Sequence, residues 1–125
     1  MTIYHRNKNK DTGFYEYNRH FIPCVHWHTE IRKAGVRNTD EYTIRIPEEY
    51  LHDYASPDIY AGLDSDKIDR KWTIQDKDLF IMGECKLSIK SVKDLEKMQK
   101  PYGGVNSWKD NRFGGLPHIR IGGAA

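Results

Sequence analysis

The feature of this sequence that most limits its fold is the two-residue alternation along residues 25–32 and again along residues 42–47. Successive side chains of a β-strand point to opposite faces of a sheet, so this alternation predicts half-buried strands. Two strands are predicted, separated by a turn at residues 34–40 and closed by Pro47. The predicted inward side chains are Val25, Trp27, Thr29, Ile31, Tyr42, Ile44 and Ile46, and the outward ones are His26, His28, Glu30, Arg32, Thr43 and Arg45.

One short helix is predicted over residues 91–100. Ser91 is a good N-cap residue, Asp94 complements the dipole of the first turn, and Pro101 stops the helix. Further short strands are predicted at residues 2–6, 14–21, 72–74 and 79–81. The predicted fold class is therefore mainly β, as a small β-barrel or a curled antiparallel sheet, with one helix and long loops.

The length of 125 residues predicts a single domain, residues 1–125, with one hydrophobic core. Residues 48–71 show the least periodicity, which predicts a long central loop that could reach a neighbouring subunit. Residues 102–125 are rich in glycine and are predicted to form an extended C-terminal tail. Cys24 and Cys85 lack Cys-x-x-Cys spacing and are interpreted as reduced, partly buried thiols.

Lysine and arginine number 20 against 18 aspartate and glutamate residues. This near-balance argues against a dedicated nucleic-acid binder, whose basic residues normally gather on one face. There is no apolar run long enough to span a bilayer, so no membrane partner is predicted. The first residues also lack the pattern of a signal peptide.

His26, His28 and Glu30 occupy the outward face of one predicted strand at alternate positions. Two imidazoles and a carboxylate are donors that can bind a transition metal. Same-face neighbours on a strand lie about 6.5–7 Å apart, so only two of the three would easily share a metal, and His5 or His20 would have to help. The simpler interpretation is a polar strand face in water, and neither a metal nor a cofactor is predicted.

The glycine-rich C-terminal segment offers two interpretations. Asp110, Arg112 and His118 could form an anion site, but no helix N-terminus follows the glycines, so a segment ordered by a partner is favoured. Trp108 lies near Arg112, and this combination is typical of an interface anchor. The predicted interface residues are Trp108, Asn111, Arg112, Phe113 and His118. No serine or cysteine lies in a pattern typical of a nucleophile, so no catalytic residue is predicted.

Several short motifs follow one another in a fixed order along most of the chain. They are Ile3-Tyr4-His5, Val25-His26-Trp27, residues 42–47, 72–74 and 78–83, Asp110-Asn111-Arg112 and Pro117-His118. In these motifs the chain resembles a family of small proteins encoded in the head–tail morphogenesis modules of tailed phages and prophages of Gram-positive hosts.

The resemblance implies a structural virion protein of the phage neck, a head-closure (stopper) or head–tail connector subunit that makes and breaks no bonds. Such subunits are small β-barrels with long loops that assemble as rings. The implied partners are other copies of the chain in a ring of six or twelve, adaptor or portal-side virion proteins, and tail-side virion proteins. DNA would pass through the lumen without sequence-specific binding. The implied location is the virion neck, after synthesis in the host cytoplasm.

Three alternatives stay open at the level of the sequence. One is another virion part, a tail-terminator or minor capsid protein. A second, of another class, is a metal-dependent enzyme that uses His26, His28 and Glu30. A third is a nucleic-acid-binding regulator, which predicts DNA binding that depends steeply on salt.

Overall fold

The computed structural model describes residues 1–8, 12–34, 37–63, 67, 70–113 and 115–124. The described strands are β1 (Thr2–Lys8), β2 (Tyr15–Phe21), β3 (His26–Ala34), β4 (Arg37–Pro47), β5 (Leu79–Ile81), β6 (Tyr102–Asp110) and β7 (His118–Ala124). The described helices are a 3-10 helix (Glu48–Tyr50), α1 (Pro57–Ala61) and α2 (Val92–Glu96).

The strands form one antiparallel sheet in the order β2-β1-β5-β6-β7-β4-β3. The edge strands are β2 and β3, and no pairing joins them within the described residues. The prediction of a mainly β, antiparallel sheet is confirmed. The barrel, which was the other predicted form, is wrong for the described strands because the sheet has two open edges.

The sheet is strongly curled. Trp27 on β3 and Phe80 on β5 are four strands apart in the sheet order, which is about 19 Å in a flat sheet. Their ring centroids nevertheless lie 5.4 Å apart, edge to face. The ring of Tyr42 on β4 contacts both, at 5.1 Å from Trp27 and 5.8 Å from Phe80. The concave face of the curl is therefore closed by aromatic contacts instead of by strand pairing.

The main core fills this concave face. Ile44 lies opposite Ile121 and Ile46 opposite Ile119, and all four side chains are buried. Burying an isoleucine stabilises a fold by roughly 1.5–3 kcal/mol, which is the physical basis of the alternation in β4. The predicted burial of Tyr42, Ile44 and Ile46 is confirmed.

The edge strand β3 is only partly buried. Val25 and Trp27 are half-buried and pack against the core, as predicted. Thr29, also predicted to face inward, is exposed, because the core does not extend that far along the edge strand. The predictions for the side chains of Ile31 and Arg32 lie outside the described residues.

Glycine allows β7 to pass close to the core. A Cβ atom built at Gly123 would lie 2.5 Å from Cε1 of Phe80 and 2.8 Å from the carbonyl oxygen of Gly104. No side chain fits there while Phe80 keeps its position. The glycines near the C-terminus thus serve close packing in a strand.

A second cluster covers the opposite face of the sheet beside β1 and β5. Its members are Tyr4, Leu79, Ile81, Cys85, Ile89 and Leu95. Leu95 comes from α2, where the carboxylate of Asp94 accepts a hydrogen bond from the backbone N–H of Ser91, as the predicted helix start requires. The predicted end at residue 100 is wrong: α2 ends at Glu96, and Gln99 adopts a left-handed turn with φ of 56°.

The segment predicted as a long central loop packs against the sheet instead. Within residues 48–71 it forms the 3-10 helix and α1, and Tyr54 makes a parallel bridge to Trp72. Tyr54, Tyr60 and Trp72 are buried. A free loop is therefore the wrong description of these parts, because their aromatic residues fill the open side of the curl. Residues 64–66 and 68–69 lie outside the described residues.

The predicted extended tail, residues 102–125, is also corrected. Residues 102–110 and 118–124 are the paired strands β6 and β7, which lie in the middle of the sheet. Sequence reasoning interpreted the glycines as flexibility, whereas they permit the close packing described above. Cys24 is exposed, Cys85 is buried, and both are free thiols.

The β3–β4 hairpin extends beyond the rest of the sheet. β7 pairs with β4 only from Glu41 to Pro47, whereas the β3 pairing continues to Ala34 opposite Arg37. The predicted turn at residues 34–40 is thus too long, since β4 already begins at Arg37. The part of the hairpin formed by residues 31–34 and 37–40 is a two-stranded arm, which is marginally stable without further contacts.

Candidate functional site

The turn between β6 and β7, described at residues 111–113 and 115–117, is held at its start by an ion pair. Arg112 donates from Nε to both carboxylate oxygens of Asp110 at 2.9 Å and from its terminal nitrogen to Oδ2 at 2.6 Å. The backbone N–H of Arg112 also donates to Asp110. These bonds lower the pKa of Asp110 and raise the pKa of Arg112. The guanidinium also lies over the ring of Tyr54, 5.3 Å from its centroid, and so ties the turn to the central segment.

His118 and Asn111 close the base of the turn. The backbone N–H of Asn111 donates to the carbonyl oxygen of His118 at 2.9 Å. The imidazole Nδ1 of His118 donates to the carbonyl oxygen of Leu116 at 2.6 Å, and Nε2 accepts from the Asn111 amide at 3.2 Å. The polar residues predicted for an interface thus shape the turn.

Two apolar side chains project from this turn. Phe113 is 93% exposed and Leu116 is 84% exposed, the two highest values among the exposed large hydrophobic residues of the described chain. Contact of apolar side chains with water is unfavourable in free energy. Burial of these side chains against a partner would remove that cost. Because polar bonds fix the backbone on both sides, little conformational entropy would be lost when Phe113 and Leu116 bind.

A groove of about 320 Å³ lies beside the turn. It is lined by His26, Arg45, Pro47, Leu116, Pro117 and His118. The groove joins a residue from the predicted metal set with residues of the predicted interface. Trp108, the remaining predicted interface residue, lies on β6, where it is half-buried and packs against the main core. Its role in the structure is therefore to extend the core.

The predicted metal set lies exposed on the edge strand β3. Nε2 of His28 lies 3.7 Å from Oε1 of Glu30, and both side chains are more than half exposed. In the described part of the chain, no group of three or more histidine, cysteine, aspartate or glutamate side chains is placed to hold a metal ion. His26 faces the groove described above, away from a common centre with further ligands.

The two histidines considered as further ligands have other partners. Nδ1 of His5 lies 2.9 Å from Oδ2 of Asp78, and both residues are buried. His20 stacks on Trp72 with ring centroids 4.7 Å apart, and burial lowers its pKa. Neither histidine is near the exposed face of β3, so the predicted ligand set is not assembled.

Asp78 is a central polar residue that sequence reasoning missed as a site. Besides His5, its carboxylate accepts hydrogen bonds from the backbone N–H groups of Arg6 at 3.1 Å and Gln75 at 2.8 Å. The signal in the sequence was weak, because an aspartate before a short apolar strand is usually a turn residue. Two of its partners, His5 and Arg6, lie more than 70 positions away in β1, which no local pattern reveals.

The alternative anion site of Asp110, Arg112 and His118 is not supported by the geometry. The guanidinium of Arg112 is occupied by Asp110, and both ring nitrogens of His118 are engaged within the turn. Leu116 was missing from the predicted interface. The signal that could have found it is the pair of large apolar residues, Phe113 and Leu116, on either side of two glycines in a polar segment.

Comparison with known proteins identifies only a family. The chain matches the model of a family of unknown function, DUF6751, over residues 1–124, and it belongs to that family. No curated protein and no solved structure matches the chain. Among the helices that the structure describes, none is long and apolar enough to cross a membrane.

Proposed function

We propose that this member of the DUF6751 family is a structural subunit of the neck of a tailed phage or of a related prophage-encoded particle. In this proposal, copies of the chain assemble as a ring of six or twelve between the adaptor or portal side and the tail. DNA passes through the ring, and the chain performs no chemistry. The resemblance of its sequence motifs to head–tail morphogenesis proteins supports the neck, and the surface of the molecule supports assembly.

The observation that carries the proposal is the pair of exposed apolar residues in the β6–β7 turn. Phe113 and Leu116 project from a turn that is fixed by Asp110 and Arg112. Aromatic residues on a rigid backbone are typical of the centre of protein interfaces, where few residues contribute most of the binding energy. Exposure of these side chains does not stabilise a free monomer, whereas their burial in an interface would stabilise an assembly.

Two further features support an assembly protein. The arm of residues 31–34 and 37–40 extends beyond β7 and has only its own two strands for pairing. The edge strands β2 and β3 also leave backbone groups available for another chain. Ring contacts are heterologous, so different surfaces of one subunit meet its two neighbours, and a turn and an arm at opposite ends of the sheet fit this need.

A tail-terminator or minor capsid protein is the alternative within the same class. Such a protein would use the same turn and arm, so these surfaces do not separate it from a neck subunit. The number of copies in a particle and the neighbours in that particle are the properties that differ.

The first test is quantitative mass spectrometry of purified particles, with copies of this chain counted against the major capsid or tail-tube protein. A neck ring predicts about six or twelve copies per particle. Cross-links from the turn to adaptor or tail-side proteins would then separate the neck from a tail terminator. Absence of the chain from particles would overturn the proposal.

A second test examines the turn itself. The double variant Phe113→Ser/Leu116→Ser should fold normally but fail to join particles, because the apolar contact is lost. The matched control is Phe14→Ser, which removes another aromatic residue that is 77% exposed, at a different turn. Equal incorporation of the double variant and the control would show that the β6–β7 turn is not the docking surface.

A further inference from the structure

The convex face of the sheet carries a row of basic side chains that is invisible in the overall charge. The strand register places Lys109 of β6 opposite Arg120 of β7, Arg120 opposite Arg45 of β4, and Arg45 opposite His26 of β3. Directly opposed side chains in antiparallel strands lie on the same face. All four residues are exposed. We call these four residues the basic row.

The three permanently charged members of the basic row, Lys109, Arg120 and Arg45, form no ion pair among the described residues. The nearest acidic residues along β3 and β4 are Glu30 and Glu41, each four positions away, which is about 13 Å along a strand. Both glutamates line one pocket with Arg120, so the acidic residues border the basic row at that end. Like charges directly opposite each other destabilise a sheet, so a row of this kind costs stability unless an anion covers it.

The next row on the same face is formed by Ser107, Gly122, Thr43 and His28, in the same order of strands. Its His28 lies 3.7 Å from Glu30, whereas Ser107 and Thr43 offer hydroxyl groups. Hydroxyl groups beside arginine and lysine are common donors to phosphate oxygens. Four adjacent strands span roughly 15 Å, which corresponds to about four phosphates along one strand of duplex DNA.

We propose that the basic row is a binding site for the phosphate backbone of nucleic acid, without sequence readout. The face is the convex surface of the curled strands, and no described helix offers side chains to enter a DNA groove, so the contacts stop at phosphates. Lys109, Arg120 and Arg45 supply the positive charges that would contact the phosphates, and His26 lies at the end of the row. The near-balance of charges in the sequence argued against nucleic-acid binding. The strand register places basic residues side by side on one face, which the total charge does not reveal.

The inference extends the proposed function, since DNA is what passes through a connector ring, but its test is separate. A chain that binds DNA through the basic row and is absent from particles would support this inference and overturn the neck proposal. A chain that is present in particles and does not bind DNA would support the neck proposal and overturn this inference.

The experiment is fluorescence anisotropy of the full chain with two short duplexes of unrelated sequence, between about 50 and 200 mM salt. Three phosphate contacts predict a slope of log affinity against log salt of about −2.7, and equal affinity for both duplexes. Arg45→Gln/Arg120→Gln should reduce the slope to about −0.9 and weaken binding at about 50 mM salt by roughly ten-fold for each lost contact.

The matched control is Lys86→Gln/Lys93→Gln, which removes the same charge from two exposed residues, Lys93 within α2 and Lys86 before it. It should leave both the slope and the affinity close to those of the unchanged chain. Thermal unfolding followed by circular dichroism should show no lower Tm for the row variant, because its opposed arginines repel each other.

Three results would overturn the proposal. One is the absence of salt-dependent binding to either duplex by the unchanged chain. Another is an equal loss of binding in the row variant and the control, which would indicate a general charge effect. The third is row-dependent binding of polyglutamate without binding of DNA, which would assign the row to an acidic protein surface.

Discussion

The regions around Asp78 and Asp110 are each organised by one carboxylate, but the two carboxylates have different structural roles. Asp78 is 1% exposed and accepts hydrogen bonds from the imidazole of His5 and from the backbone N–H groups of Arg6 in β1 and Gln75 before β5. Asp110 is half-buried and binds Arg112, two positions further along the chain. The first carboxylate joins distant segments, and the second shapes a local turn.

The comparison teaches that burial decides what a polar cluster can contribute. Groups that lose a partner in the interior keep the full cost of desolvation, whereas groups near the surface find water. The Asp78 cluster therefore serves stability. The Asp110 cluster can serve presentation, because it fixes the backbone beside Phe113 and Leu116 and leaves these side chains in solvent.

The largest effect is expected for Asp78→Ala. It leaves Nδ1 of His5 and the backbone N–H groups of Arg6 and Gln75 without an acceptor, so the free energy of unfolding should fall by about 3 kcal/mol. Urea unfolding measures this, with the exposed Asp76→Ala as control. A loss no larger than that of the control would remove the difference between the two regions.

A smaller effect is expected for Asp110→Ala. The ion pair with Arg112 is partly exposed, so its loss should lower the free energy of unfolding by about 1 kcal/mol or less. The local change should be clear, because the backbone N–H of Arg112 loses its acceptor and should exchange its hydrogen faster. Unchanged exchange at Arg112 would show that the turn does not depend on this carboxylate.

The pH dependence sharpens the same comparison. Because Arg112 lowers the pKa of Asp110 in the folded state, the ionised carboxylate contributes stability above its ordinary value of 3.8 and loses it as the pH falls through the folded-state pKa. The difference in unfolding free energy between the unchanged chain and Asp110→Asn should be constant above about pH 5 and shrink below about pH 4. Urea unfolding at several pH values measures it, and a difference that grows on acidification would contradict this sign.

The smallest effect on stability is expected for Phe113→Ser/Leu116→Ser. Both side chains are exposed and outside the core clusters, so the free energy of unfolding should change by less than about 0.5 kcal/mol. A clear loss of stability would mean that the two residues pack within the monomer. That result would weaken the contrast between the Asp78 cluster, which stabilises the fold, and the Asp110 cluster, which holds exposed residues for a partner.

Local patterns predicted much of the sheet. Ile44 and Ile46 could be assigned to the core because a two-residue period follows directly from strand geometry. The start of α2 at Ser91 and Asp94 was also predictable, since a cap depends on neighbours within one turn. The end of α2 was not predictable in this way. Residues 97–100 favour a helix, but the chain turns at Gln99 and α2 ends at Glu96.

The C-terminal glycines show where local reasoning fails. Gly123 was interpreted as part of a flexible tail, but it lies in a central strand against Phe80, more than 40 positions earlier in the chain. The central segment was misjudged for the same reason, since Tyr54 and Trp72 become core only when the sheet curls around them. Trp108 likewise joins the core through the pairing of β6 with β7.

The sequence by itself determined the alternation of β4, the cap of α2 and the mainly β class, because each depends on residues within a few positions of one another. Tertiary structure alone decided the acceptor role of Asp78, the exposure of Phe113 and Leu116, and the alignment of Arg120 with Arg45. These features depend on strand register and on the curl of the sheet, which bring together residues that are far apart in the chain. Register is set by the packing of the whole core, so no segment of the sequence specifies it alone.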